Sequence, residues 1–164
     1  MLFRSLKEVT GKERLGHRLA TLAAAGRRPE ALEVALGYMV ERPATNGHMR
    51  VAITGACWDL CMEAGKLAEL RAFVEALVKE FDLDGLWQLR LAWLRGSLGD
   101  PEGSAAAYER SGIHALSGGP GLVPRLRAGD PEALARILTL ADVTGVRNRE
   151  HLWRSSLDCH EARR

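Results

Sequence analysis

The chain has 164 residues and a mass of 18.0 kDa, the size of one domain. At 46% apolar and 27% charged it has a globular balance, which excludes a disordered chain. A net charge of +2 gives no reason to expect nucleic acid or an anionic membrane as the main partner. Three cysteines, an odd number, do not read as a disulfide framework. No run approaches the roughly 20 apolar residues of a membrane span. The start is charged from Arg4 onward, too early for a secretory signal. Leu, Ala and Arg supply 67 residues and Ile only three, which favours helix over strand. The expectation is a cytoplasmic, all-α chain.

In chain order, Thr10 to Glu13 form a capping box that predicts a helix from about Gly11 to Ala25, with Leu15, Leu19, Leu22 and Ala23 as its apolar stripe. A second helix runs from Pro29 to about Glu41 and stops before Pro43. A third, capped near Asn46, reaches Ala64 and ends at Gly65. The fourth carries Leu67, Leu70, Phe73, Val74, Leu77 and Val78. Asp84 can cap a fifth, which ends at Gly99, and the sixth runs from Pro101 to near Gly112. Ser117 to Pro124, rich in Gly and Pro, reads as a break. Another helix starts at Pro131 and ends near Thr144, and a last one begins near Arg147.

The punctuation repeats. Gly99-Asp100-Pro101-Glu102 recurs as Gly129-Asp130-Pro131-Glu132, with a weaker copy in Gly26-Arg27-Arg28-Pro29-Glu30. Gly takes the left-handed conformation past a helix end, and Asp caps the free amides of the next first turn. Pro in that turn gives up an amide without a helical partner, and Glu suits the positive end of the dipole. Gly26, Gly65 and Gly99 are 39 and 34 residues apart, a period of stacked helical hairpins.

On these residues the chain resembles the tetratricopeptide repeat family. Gly26, Ala31 and Pro43 stand at three of the family's positions in a first unit. In the third unit Ala92, Gly99 and Ser104 match. The middle unit departs at Trp58, Leu70 and Asp82, and the first at Leu19. The resemblance implies an all-α fold of stacked antiparallel hairpins, a TPR-like α-solenoid of about eight or nine helices. Its units span about 11–43, 46–82 and 84–116, followed by a loop over 117–124 and C-terminal helices over 125–164, all in one domain. It also implies a groove lined by the first helix of each unit. Carried across residue by residue, the groove positions fall on His17, on Asp59 and Met62, and on Arg90 and Trp93. Gly16 and Ala20 stand where chaperone-binding members carry a carboxylate clamp, so no acidic C-terminal peptide is expected.

Chemistry-bearing residues are sparse. Cys57 and Cys61 lie one turn apart on the third helix. A metal site there would need His48 or Cys159-His160 to complete it, and two small apolar side chains in a helix seam is the favoured reading. The five histidines form no spaced ligand pair. Gly118-Gly119-Pro120-Gly121 lacks the Lys-Ser/Thr of a phosphate-binding loop, and no Gly-x-Ser-x-Gly elbow occurs. No catalytic residue, metal or cofactor is read from the sequence.

Charge is uneven: residues 1–50 carry net +4, residues 51–110 net −4 and the remainder net +2. Such a distribution can orient a partner or drive self-association. The expected function is a non-enzymatic protein–protein interaction module or scaffold whose partner is another protein or peptide. The alternative is a nucleic-acid-associated repeat using its 19 arginines, for which the near-neutral balance offers little support. The cluster from Arg147 to Arg154, with Trp153, is the segment that alternative would use first, although a helix capping the array is the favoured reading.

Overall fold

A computed structural model describes residues 17–19, 21–42, 47–80, 85–112 and 121–142, with side chains omitted for residues 47–52. The expected caps at Thr10, Asn46 and Asp84, the carboxyl Asp82 and everything from residue 143 onward lie outside the described residues. Helix is the regular structure found among the described residues. The helices are α1 (residues 17–19 and 21–24), α2 (Arg28–Glu41), α3 (Gly47–Ala64), α4 (Leu67–Glu80), α5 (Gly85–Ser97), α6 (Pro101–Arg110), α7 (Leu122–Arg127) and α8 (residues 131–142). They fall into two compact units, Met1–Phe73 and Val74–Arg164, with the division inside α4.

Four turns join these helices in pairs, α1–α2, α3–α4, α5–α6 and α7–α8, and each turn has the same backbone. Gly26, Gly65, Gly99 and Gly129 all have φ between +68° and +84°. The amide of the following residue reaches back five positions: Arg27 to Leu22 (3.0 Å), Lys66 to Cys61 (2.8 Å), Asp100 to Arg95 (2.9 Å) and Asp130 to Arg125 (3.0 Å). This is the Schellman closure, which satisfies carbonyls that the helix end leaves open.

The side chains around the turns differ. Asp100 Oδ1 accepts from the Gly103 amide at 2.9 Å, and Asp130 Oδ1 accepts from the Glu132 amide at 2.9 Å, as the repeated tetrapeptide predicts. Arg27 has no carboxylate to cap with; it forks onto Glu30 of the same turn instead.

The loop expected over 117–124 is a correction. Leu122, Val123 and Pro124 open α7, and Leu122 and Leu126 are buried. Proline is tolerated there because the amides of a helix's first turn have no intrahelical acceptor to lose. The helix that begins at Pro131 is therefore preceded by a short helix, and the turn at Gly129 joins the two.

Among the described residues, the other helix ends lie close to the expectation. At the end of α2, Arg42 takes φ +44° and donates its amide to Tyr38 at 2.8 Å. Pro43 disfavours the right-handed helical region for the residue before it, so the chain leaves the helix there even without glycine.

In the first unit the core is built from Leu19, Ala31, Ala35, Tyr38, Ile53, Cys57, Cys61, Leu70 and Phe73, with an edge-to-face contact between Tyr38 and Phe73. In the second, Leu89, Ala92, Leu94, Ala105, Tyr108, Leu126 and Ile137 carry it. Burial raises the Tyr108 phenol above its usual range. The residue five places after a turn glycine is fully buried three times over, as Ala31, Leu70 and Ser104. At Gly96 the helices approach so closely that a Cβ would collide with Leu134 and lie 3.1 Å from Ser104 Oγ.

Candidate functional site

Helix α5 carries the most distinctive surface chemistry. From Gly85 to Gly96 none of its residues is exposed, yet Trp87, Arg90, Trp93 and Arg95 are only half-buried. Trp87, Arg90 and Trp93 stand at i, i+3 and i+6, so they follow one another along one side of the helix. The Arg90 guanidinium lies over the Trp87 ring, its carbon 4.6 Å from the centroid. That contact is worth on the order of 0.5–2 kcal/mol, depending on how far it is desolvated. It also holds the long arginine side chain in place, leaving it less rotamer freedom to lose in any further contact. Arg95 is fixed differently, with Nε 3.1 Å from Glu75 Oε1, tying α5 to α4.

The sequence-predicted groove residues divide between the two compact units. In the second, Arg90 and Trp93 share the α5 row, and the structure adds Trp87. Their spacing was present in the sequence, but the repeat register carried only two of the three. In the first unit, Asp59 is exposed and Met62 half-buried one turn later on α3. His17 is exposed on α1, where its carbonyl accepts the Thr21 hydroxyl at 2.8 Å.

A shallow cleft of about 270 Å³ between α2 and α3 is lined by Arg28, Pro29, Leu32, Leu60, Glu63 and Ala64. Its polar groups are matched to each other, Arg28 Nε lying 2.5 Å from Glu63 Oε2. What remains is an apolar floor with a neutral rim.

Cys57 and Cys61 are free thiols without exposed surface. Burial pushes Cys57 up to about 12, with Cys61 adding to it. Burial also pushes Cys61 up to about 11, Glu69 raising it and Lys66 lowering it. Both are protonated at neutral pH and make poor nucleophiles. No group of three His, Cys, Asp or Glu side chains gathers around a common point among the described residues.

Many arginines are paired with carboxylates. Arg27 meets Glu30, Arg28 meets Glu63, and Arg125 meets Asp130 and Glu132, while Arg127 meets Glu102 and Glu109. The hydrogen bond from Arg125 holds the Asp130 carboxyl below its usual range. Among the described residues no helix is long and apolar enough to cross a membrane. No protein-family model, no curated protein and no solved structure matches the chain.

Proposed function

We propose that the protein is a non-enzymatic interaction module of TPR-like helical hairpins, acting in the cytoplasm on another protein or peptide. The observation that carries this reading is the row Trp87, Arg90 and Trp93 on α5, half-buried and with Arg90 already stacked. Tryptophan and arginine dominate interaction hot spots because each offers a large contact area and a directional polar group. The four left-handed glycine turns, each closing a two-helix pair, support the repeat reading. In the first unit, exposed Asp59 and half-buried Met62 offer a second, smaller contact pair. The row suits a partner that presents an apolar side chain beside a carboxylate.

A nucleic-acid role has less support, since the ion pairs at Arg27, Arg28, Arg125 and Arg127 engage cations that a phosphate backbone would need. The experiment is affinity capture from the source cells with and without nuclease, using the wild-type chain, Arg90→Ala and Asp59→Ala. The reading expects a protein captured by the wild type, insensitive to nuclease and lost from Arg90→Ala, while the helical spectrum is unchanged. Capture that disappears on nuclease treatment would favour the nucleic-acid alternative.

A further inference from the structure

Helix α2 carries two apolar faces. Ala31, Ala35, Tyr38 and Met39 are buried within the first unit. Pro29, Leu32, Leu36 and Val40 recur at intervals of three and four, so they form a second stripe along another side of the helix. This stripe is only partly covered: Leu32 and Leu36 are half-buried, Pro29 is exposed and Val40 is 83% exposed. A surface helix ordinarily buries one apolar stripe and turns polar groups outward. Single exposed apolar residues are common, whereas a row of them that opens into a cleft marks a contact surface. The cleft of about 270 Å³ against α3 takes in Pro29 and Leu32 at the start of the stripe.

The free charges beside the stripe share one sign. Glu33 follows Leu32 and Glu41 follows Val40, each about 100° further round the helix. Both carboxylates are exposed, and neither is paired with a cation among the described residues. On the far edge of the cleft, Asp59 is exposed one turn before Glu63 on the same side of α3. Two cations at the start of α2 are already engaged, Arg27 by Glu30 and Arg28 by Glu63. The apolar row therefore runs between carboxylates.

We propose that this stripe and its cleft are a docking surface for a basic amphipathic helix of a partner protein. Such a helix has apolar residues at intervals of three and four, with Lys or Arg beside them. Its apolar side would lie along Leu32, Leu36 and Val40 and place one large side chain in the cleft. Its cations would meet Glu33, Glu41 and Asp59. A second copy of the chain fits less well, because a twofold contact turns the patch onto itself and gathers the carboxylates of both copies. Nucleic acid and anionic bilayers are repelled by the same charges. The surface is separate from the α5 row. It shares Asp59 with the contact pair on α3, and the test leaves Asp59 unchanged.

The probe is a fluorescein-labelled peptide of about 18 residues, long enough to hold a helix, with leucines at helical spacing and lysines elsewhere. One control carries glutamate in place of lysine, and another scrambles the leucines so that no stripe forms. Fluorescence anisotropy with the full chain should show the lysine peptide binding at least about tenfold more tightly than either control, and more weakly as salt rises. Glu33→Lys/Glu41→Lys should weaken it by about tenfold or more, and Leu36→Gln by a similar factor. Both glutamates are exposed, so the charge-reversed chain keeps its helical spectrum and decides the matter should Leu36→Gln unfold. Arg90→Ala should bind the peptide as the wild type does, which separates this surface from the α5 row. No binding of the lysine peptide, equal binding of either control, wild-type affinity in Glu33→Lys/Glu41→Lys, or loss of binding in Arg90→Ala would each overturn the proposal. So would a dimer in sedimentation that Leu36→Gln dissolves, since a second copy would then be the occupant.

Discussion

The hairpins α3–α4 and α5–α6 reach one turn geometry from different sequences. Gly65 is followed by Lys66 and Leu67, whereas Gly99 is followed by Asp100, Pro101 and Glu102. Both glycines are left-handed, and both turns close with the same five-residue hydrogen bond. Glycine therefore sets the turn, and the Asp-Pro-Glu sequence adds a cap to a backbone that forms without it. The first helices differ more. In α3 the large side chains Trp58 and Leu60 are buried and the acid Asp59 is exposed. In α5 the large polar and aromatic groups Trp87, Arg90 and Trp93 are held half-buried. Tryptophan therefore stands at two depths, buried at Trp58 and half-buried at Trp87 and Trp93, and burial separates the packing role from the one proposed for α5.

The largest expected effect tests that separation. Trp58, 5% exposed, should cost about 3–5 kcal/mol when replaced by alanine, whereas Trp93→Ala should fall below that range. Urea melts of the two variants measure both. Equal losses would make Trp93 a packing residue and remove it from the recognition row.

Glycines inside helices come next. Gly96→Ala should destabilise by about 1–3 kcal/mol, since the new methyl meets Leu134 and Ser104. Gly37→Ala, in open space on α2, should instead stabilise by about 0.5–1 kcal/mol. Thermal melts that move both variants in the same direction would contradict the close approach at Gly96.

At the turns themselves, Gly65→Val and Gly99→Val should each cost about 1–2 kcal/mol through left-handed strain, with no clash at either site. Asp100→Ala should cost about 0.5–2 kcal/mol, and Lys66→Ala less than about 0.5 kcal/mol. Denaturant melts that shift Asp100→Ala no further than Lys66→Ala would remove the cap from the comparison.

In alkali the comparison passes to the two buried thiols of α3. The thiols titrate near 9.0 when unfolded but near 12 and 11 in the folded chain, for Cys57 and Cys61. Their contribution to stability is complete below pH 9 and is lost as pH rises from 9 toward 12. Melting temperatures over this window should decline less steeply in Cys57→Ala/Cys61→Ala than in the wild type.

The turns at Gly99 and Gly129 were legible because each residue type in the repeated tetrapeptide has one local task. Gly65 was legible as a stop, and the period of the glycines led to paired helices. Helix α7 was hidden because glycine and proline before Leu126 read as a break, although Pro124 falls in a first turn where it is harmless. Arg90 and Trp93 were legible only through the repeat register. Trp87 was not, since a stack over one turn depends on rotamers that spacing alone does not fix. The convergence of Met39 on Cys61 joins residues 22 apart and becomes visible only once α2 and α3 pack.

The central claim, that the α5 row recognises a partner, is tested most directly by measuring two quantities on Arg90→Ala. These are its affinity for the protein captured by the wild type and its melting temperature. The account predicts affinity lower by roughly thirtyfold, the weight of one hot-spot anchor, with the melting temperature almost unchanged. Wild-type affinity in Arg90→Ala, or a melting temperature that falls in step with binding, would contradict it.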